Sequence, residues 1–381
     1  MVKRIHLWLG LTSGLIVVLL SITGCILAFE VEIRNFTESF RKLEVEDRPY
    51  LSPTQLKKFA EQELVSKKAL GIDYPGEGKA AVASYYDDKE FELVFLNPYT
   101  GDVLKHKNMN KDFFRIVLDG HFYLWLPHDI GQPIAASATL IFVIMMITGI
   151  ILWWPKNKAA SKQRFSIKWT ARWRRKNYDL HNVLGFYMTW VAIFIAITGL
   201  VFGFQWVAKS VYWVTSGGEQ MVAHQHPLSD TTKPASNTNL ADHLWNQHRA
   251  GVQKDEGIGV YFAYLPEDPL EVVINHQPGT YYNSDFFHYD QYTGKRIKAQ
   301  GSWEGKFSEA KLADKIARLN YDMHVGAILG LAGKFIAFFA SLIAGSLPVT
   351  GFLVWWGRRH KAKKHPIAVK RSNEQYTLQK V

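Results

Sequence analysis

Imidazoles offered in pairs from neighbouring helices can ligate one metal centre from two sides, and this sequence sets four histidines at matched positions. The stretch 5–29, IHLWLGLTSGLIVVLLSITGCILAF, aligns without a gap on 180–204, LHNVLGFYMTWVAIFIAITGLVFGF. His6 falls on His181, Gly10 on Gly185, and Ile22-Thr23-Gly24 on Ile197-Thr198-Gly199. A second pair follows from Ile147-Thr148-Gly149…Trp153-Trp154 against Val349-Thr350-Gly351…Trp355-Trp356. Upstream of these, His121 in LDGHFYLWLPHDIG meets His324 in NYDMHVGAILGLAG after a one-residue shift. An internal repeat that carries histidines with it is the first thing to explain.

Neutral imidazole on both faces of a porphyrin iron, with a flat slot between helices, is what a low-spin b-type haem requires. The slot has a sequence signature. Gly10, Gly14, Val17, Ser21 and Gly24 run down one face after His6, and Gly185, Thr189, Ala192, Ala196 and Gly199 run down the matching face after His181. Small residues at this spacing let a backbone or a ring approach closely, although plain helix packing uses the same stripe. The expected cofactors are two b-type haems, an inner one between His6 and His181 and an outer one between His121 and His324, with Gly10 and Gly185 in the inner slot. His128 competes with His121 because it lies nearer the second apolar span, whereas the repeat favours His121, since Gly330 occupies the position matching His128. His224-Gln225-His226 could bind a metal, but with no carboxylate or cysteine beside it in sequence it reads as a polar loop. His243, His248, His276 and His288 read as surface or pocket-lining residues.

The elements that must position these groups are legible. The chain has 381 residues, 48% of them hydrophobic, yet its mean hydropathy is only -0.10, so the apolar residues are concentrated. They fall in four spans, 5–29, 134–154, 183–207 and 335–356, each long enough to cross a hydrocarbon core of about 30 Å. The net charge of +11 does not point to nucleic acid, because it is collected beside these spans. Nine Lys and Arg and no acid lie between Pro155 and Asn177, from Lys156 to Lys176, and Arg358, Arg359, Lys361, Lys363 and Lys364 follow the last span. Basic segments of this kind face the cytoplasm. Both termini and the central loop are therefore expected inside, with anionic membrane lipid as a partner of the loop.

Cys25 is the single cysteine, which excludes an internal disulfide. Its Ile-Thr-Gly-Cys setting resembles a lipoprotein cleavage box. The same Ile-Thr-Gly recurs at 197–199 without a cysteine, so the first span is expected to stay as a helix.

The expected fold class is membrane α+β, with four transmembrane helices arranged as an internal duplication and two exported helix-plus-antiparallel-sheet domains. Its order is a transmembrane helix at 1–30, a periplasmic domain at 31–120, and a surface helix with the second transmembrane helix at 121–155. The basic loop at 156–177, a third transmembrane helix at 178–208 and a second periplasmic domain at 209–320 follow. A surface helix with the fourth transmembrane helix at 321–357 and a basic tail at 358–381 complete the chain. His121 and His324 need short helices of their own: a straight helix from 324 to 356 would be about 50 Å long, and Pro127, Pro133, Gly330 and Gly333 interrupt the two stretches. No dinucleotide or Walker motif appears and the internal loop is too short for a flavin domain. Electrons would therefore have to come from membrane quinol or a separate cytoplasmic reductase.

Two sheet domains with Tyr-Thr-Gly turns at 99–101 and 292–294, alternating with helices that open on histidine, resemble the PepSY-associated transmembrane family over nearly the whole chain. The iron-regulated inner-membrane branch, which contains ferric-siderophore reductases, is the closer likeness. The resemblance implies a di-haem oxidoreductase that carries electrons across the bacterial inner membrane to Fe(III) in a ferric siderophore and releases Fe(II) in the periplasm. It also implies haem-ligand roles for His6, His181, His121 and His324. The other expectation the residues allow is a non-redox membrane scaffold or sensor whose sheet domains bind a peptide or protease.

Overall fold

The computed structural model describes residues 1–87, 90–155, 157–234 and 239–360. Asp88 and Lys89 of the expected hairpin, Lys156 of the basic loop, and Lys361, Lys363 and Lys364 of the tail lie outside these residues. From the N-terminus the chain forms α1 (Val2–Leu27), α2 (Glu30–Thr37), α3 (Pro53–Glu63), β1 (Gly71–Tyr74), β2 (Ala81–Tyr86), β3 (Phe91–Leu96), β4 (Val103–Asn108) and α4 (Phe113–Tyr123). Next come α5 (His128–Trp153), α6 (Lys158–Arg164), α7 (Trp173–Gly203), α8 (Gln205–Ser216) and α9 (Leu240–Arg249). The last elements are β5 (Gly257–Tyr261), β6 (Leu270–Asn275), β7 (Ser284–Tyr289), β8 (Arg296–Ile297), α10 (Leu312–His324) and α11 (Gly330–Arg359).

Four of these helices, α1, α5, α7 and α11, are long and apolar enough to cross a membrane. Both α1 and α7 pack against α5 and α11, so the four form a bundle in which α1 and α7 stand on one diagonal. Small residues bring neighbours close. A Cβ on Gly345 would lie 2.9 Å from that of Ser21, and one on Gly203 would lie 2.6 Å from that of Ala136. Without a hydrophobic drive between helices in lipid, such backbone approach is what holds a bundle together.

The extramembrane segments give one eight-stranded antiparallel sheet, in the order β4-β3-β2-β1-β5-β6-β7-β8, where two separate sheet domains were expected. The seam is β1 against β5, with Gly71 opposite Tyr261 and Asp73 opposite Gly259. Each half would otherwise end in an unpaired strand edge, and pairing the two edges satisfies both rows of backbone groups. The seam is complementary in side chains as well. A Cβ on Gly71 would run into the Tyr261 ring, and one on Gly259 into the Asp73 carboxylate. Over one face lie α3 and α9, whose Leu56, Leu244 and Trp245 join Ile72, Val94, Val260 and Val272 in a single core. The Asp242 carboxylate on α9 accepts hydrogen bonds from Ser52 Oγ at 2.8 Å and the Thr54 backbone N–H at 3.0 Å, which fastens the N-termini of the two helices side by side.

The seam titrates. Burial pushes the Asp73 carboxyl up to about 6 even though the Tyr261 hydroxyl donates to it. Because the folded state then holds a proton that an unfolded aspartate releases near pH 4, this contribution is fully present below about pH 4 and fades as pH rises to about 6. Asp73→Asn should therefore be more stable than the parent at pH 7.5, by about 1–3 kcal/mol, with a flatter dependence between pH 4 and 6. Thermal unfolding of the two proteins across that range checks this, and parallel curves would contradict it.

Candidate functional site

Each of the four repeated histidines is held in the same way by a Thr-Gly pair on a neighbouring helix. His6 Nδ1 lies 2.9 Å from Thr148 Oγ1, His121 Nδ1 2.9 Å from Thr23 Oγ1, His181 Nδ1 3.0 Å from Thr350 Oγ1, and His324 Nδ1 3.0 Å from Thr198 Oγ1. The glycine after each threonine makes room for the ring. A Cβ at Gly149, Gly24, Gly351 or Gly199 would stand 3.5, 3.3, 3.1 or 3.1 Å from the Cε1 of the corresponding imidazole.

This geometry assigns the protons. Each threonine hydroxyl already donates to a carbonyl of its own helix: Thr23 to Leu19, Thr148 to Met145, Thr198 to Phe194 and Thr350 to Ser346. Its oxygen is left to accept, so Nδ1–H of the histidine must donate. At His324 the backbone carbonyl of Ile195, 3.0 Å from Nδ1, can only accept and requires the same tautomer. Nε2 in all four rings is then the unprotonated nitrogen, and it makes no hydrogen bond to a described residue. A histidine whose other nitrogen is fixed by a hydrogen-bond acceptor is the usual form of a metal ligand.

One pair of rings meets at the sheet end of the bundle. His121 and His324 have their centres 6.1 Å apart, a separation at which one ion could sit between two inward nitrogens at about 2 Å from each. They line a cavity of about 660 Å³ that reaches between α1 and α7 past Ser21, Gly24, Ala192, Ala196 and Gly199. That volume lies within the range of cofactor sites, about 300–1,000 Å³. His6 on α1 and His181 on α7 stand at the other end of the same diagonal, held by Thr148 of α5 and Thr350 of α11.

The expected slot is only partly a slot. Of the α1 stripe, Val17, Ser21 and Gly24 line the cavity, while Gly10 receives the Met145 methyl and Gly14 the Pro348 ring. Gly185 likewise stands opposite the Leu347 side chain. At these positions the small residue admits a neighbouring helix. His128 opens α5, exposed, with its ring 5.0 Å from that of Tyr123, and takes no part in the cavity lining. Lys334 is buried against Glu32, at 2.7 Å. His248 bonds Tyr289 Oη at 2.6 Å, and His276 is held between Glu256 and Asp285.

The helices carrying the cavity's two histidines are fastened to the sheet by buried charge. The α4 N-cap, Asp112, accepts from its own Phe114 N–H and is bound by Arg34 of α2, at 3.0 Å from Nη1, and by Lys107 of β4 at 2.7 Å. On α10, the almost wholly buried Arg318 donates to the backbone carbonyls of Ser284 and Glu304, while Asp322 accepts from the N–H groups of Tyr281 and Tyr282. Asn320, one turn before His324, also donates to the Thr198 carbonyl, and Asn177, one turn before His181, does so to that of Thr350. None of these partners was visible in the sequence, although the fourfold Thr-Gly was.

Burial works against the Asp112 charge, but the hydrogen bonds and charges of Arg34 and Lys107 hold its carboxyl well below the usual carboxylate range. The stability it contributes is present above about pH 4 and lost as pH falls below that. Asp112→Ala, which removes the α4 N-cap and one of the three carboxylates around Arg34 while Glu30 and Glu38 remain, should cost about 1–3 kcal/mol. Thermal melts at pH 7 would register it, and an unchanged melting temperature would mean that another contact anchors α4.

Among curated proteins none matches this chain. The family model described as the PepSY-associated TM region matches residues 3–358, both sheet halves and all four long helices included. The chain therefore belongs to the PepSY-associated TM family of membrane proteins.

Proposed function

We propose that this protein is a di-haem reductase of the bacterial inner membrane, built as an internal duplication, which passes electrons across the membrane and reduces Fe(III) in ferric siderophores on the periplasmic side. The observation that carries the reading is the cavity between His121 and His324, with Nδ1 of each ring engaged by a threonine and Nε2 left as a free lone pair. A haem held between two imidazoles supplies a one-electron Fe(III)/Fe(II) couple. His121 and His324 would hold one such group near the sheet, and His6 and His181 a second near the basic end. At the His121–His324 level the residues fit: two imidazoles line one cavity, small residues of α1 and α7 form part of its wall, and Glu30, Arg34 and Arg115 at the sheet end add charge near its mouth. At the His6–His181 level Met145, Pro348 and Leu347 stand against Gly10, Gly14 and Gly185, so a second haem there requires those side chains to move aside.

The basic segment before α7 and the arginines at the end of α11 support a cytoplasmic position for both termini, which puts the sheet in the periplasm. Membrane quinol or a cytoplasmic reductase would supply one electron for each Fe(III) reduced. Reduction promotes release because the hard oxygen donors of a siderophore hold Fe(III) far more tightly than Fe(II). Tyr281, Trp303 and Tyr321 offer an aromatic rim to a bulky chelate where the cavity meets the sheet.

The test begins with colour. Protein purified from haem-sufficient cells should be red, with a b-type reduced-minus-oxidised spectrum and two haems per chain. His6→Ala and His324→Ala should each retain about one, while Thr198→Val should keep the haem but alter its spectrum or potential. A colourless preparation would overturn the reading in favour of a peptide- or protease-binding scaffold. Full haem content in both histidine variants would refute the ligand assignment.

A further inference from the structure

The sheet carries a second cluster of histidines, away from the bundle. His288 on β7 is fully buried, and its cross-strand neighbour in register on β6 is Glu271. The segment His224-Gln225-His226 crosses this face because Gln225 and Gln300 exchange backbone hydrogen bonds at 3.2 and 3.0 Å. In an extended segment, residues two apart point the same way, so that bridge turns both histidines toward His288. The ring centres lie 4.7 Å apart for His224 and His226, and 5.4 Å apart for His226 and His288. Ligand atoms of His226, His288 and Glu271 all fall within 4.8 Å of one another.

His288 decides what this cluster is for. Its Nδ1 lies 2.9 Å from Glu304 Oε2, and Glu304 is itself held by Arg296 and by the backbone N–H of Ala299. A carboxylate can only accept here, so the ring proton is on Nδ1. In the neutral ring Nε2 is then the lone pair; it is buried and makes no hydrogen bond, and Glu271 Oε1 stands 3.5 Å from it. A neutral imidazole backed by a carboxylate, aimed with a second histidine and another carboxylate at one point, is the ligand arrangement of a metal site including its outer support.

We infer that His226, His288 and Glu271 bind one divalent first-row transition-metal ion, with His224 near enough to supply a fourth ligand and Glu304 acting as a positioning residue. Two imidazoles and one carboxylate favour Zn(II), Fe(II) or their neighbours over Mg(II) and Ca(II), which prefer oxygen ligands throughout. Ligand atoms around a four-coordinate ion sit about 3.4 Å apart, so binding draws the exposed His226 inward by about an ångström while the buried His288 stays in place. The site is separate from the cavity between His121 and His324 and does not depend on what that cavity holds.

Full-length protein in detergent, stripped with a chelator and titrated with Zn(II) against a chromophoric competitor, should bind one ion per chain, with Fe(II) under anaerobic conditions competing and millimolar Mg(II) or Ca(II) failing to. His226→Ala, an exposed change that leaves the melting temperature of the metal-free protein unaltered, and Glu271→Gln should each weaken binding at least about tenfold. Glu304→Gln should weaken it by about 10–100-fold. Zn(II) affinity unchanged in His226→Ala, or displacement by Mg(II), would overturn the site. A colourless protein that still binds Zn(II) would sink the haem reading alone, and a red protein with no Zn(II) site would sink this one alone.

Discussion

The hydrogen bond from an imidazole Nδ1 to a threonine oxygen, made four times, is the constraint around which the bundle is arranged. A hydroxyl that already donates to its own helix has nothing left but an acceptor, so it dictates the tautomer of any histidine that reaches it. For that contact to form, the residue beyond the threonine must lack a side chain, which the glycine provides. Each bond contributes only about 0.5–1.5 kcal/mol. Its larger effect is on register: a one-residue slip of either helix would turn the hydroxyl away and leave the ring against a bulkier neighbour. Thr-Gly therefore fixes where α5 stands against α1, where α11 stands against α7, and how deep α4 and α10 seat.

The two ends of the bundle meet this requirement by different means. At the basic end His6 and His181 are on long helices, so packing along α1 and α7 is enough to place them. At the other end His121 and His324 are on short helices that apolar packing alone would locate poorly. There the sheet takes over. Arg34 and Lys107 fasten α4 through Asp112, while Arg318 and Asp322 tie α10 to the loops beside β7. Joining the halves through β1 and β5 makes one rigid body of what would be two, so the two histidines that must face each other are referred to a common frame. The single sheet thus has a positional consequence beyond covering its own edges.

What was legible in the sequence follows from this division. The four long helices, the short helices at His121 and His324 and the two histidine pairs come from apolar run length and from the repeat, which are local or self-referential signals. The seam was not legible, because β1 is four residues long and its pairing with β5 depends on Tyr261 lying over Gly71, a contact between residues 190 positions apart. The Thr-Gly recurrence was plain as an alignment marker, but its partner in every case lies on another helix. His226 illustrates the same limit: its neighbour His224 is visible at once, whereas Glu271 and His288 join it only through strand register.

The small-residue stripes of α1 and α7 show why composition could not separate a ligand slot from ordinary packing. Down one face of α1, Gly10 and Gly14 are filled by Met145 and Pro348, and only from Val17 onward does the stripe open on the cavity. The residues are equally small throughout; what differs is the opposite wall. Near the basic end α5 and α11 turn a methionine, a leucine and a proline inward, whereas toward the sheet they present Ala135, Ala136, Ala337, Ala340 and Ala344. A cavity in a helical bundle needs short side chains on all four helices at one level. Among the described residues that coincidence lies where His121 and His324 enter, and the level of the cavity is therefore set by α5 and α11 as much as by the helices that carry the paired histidines.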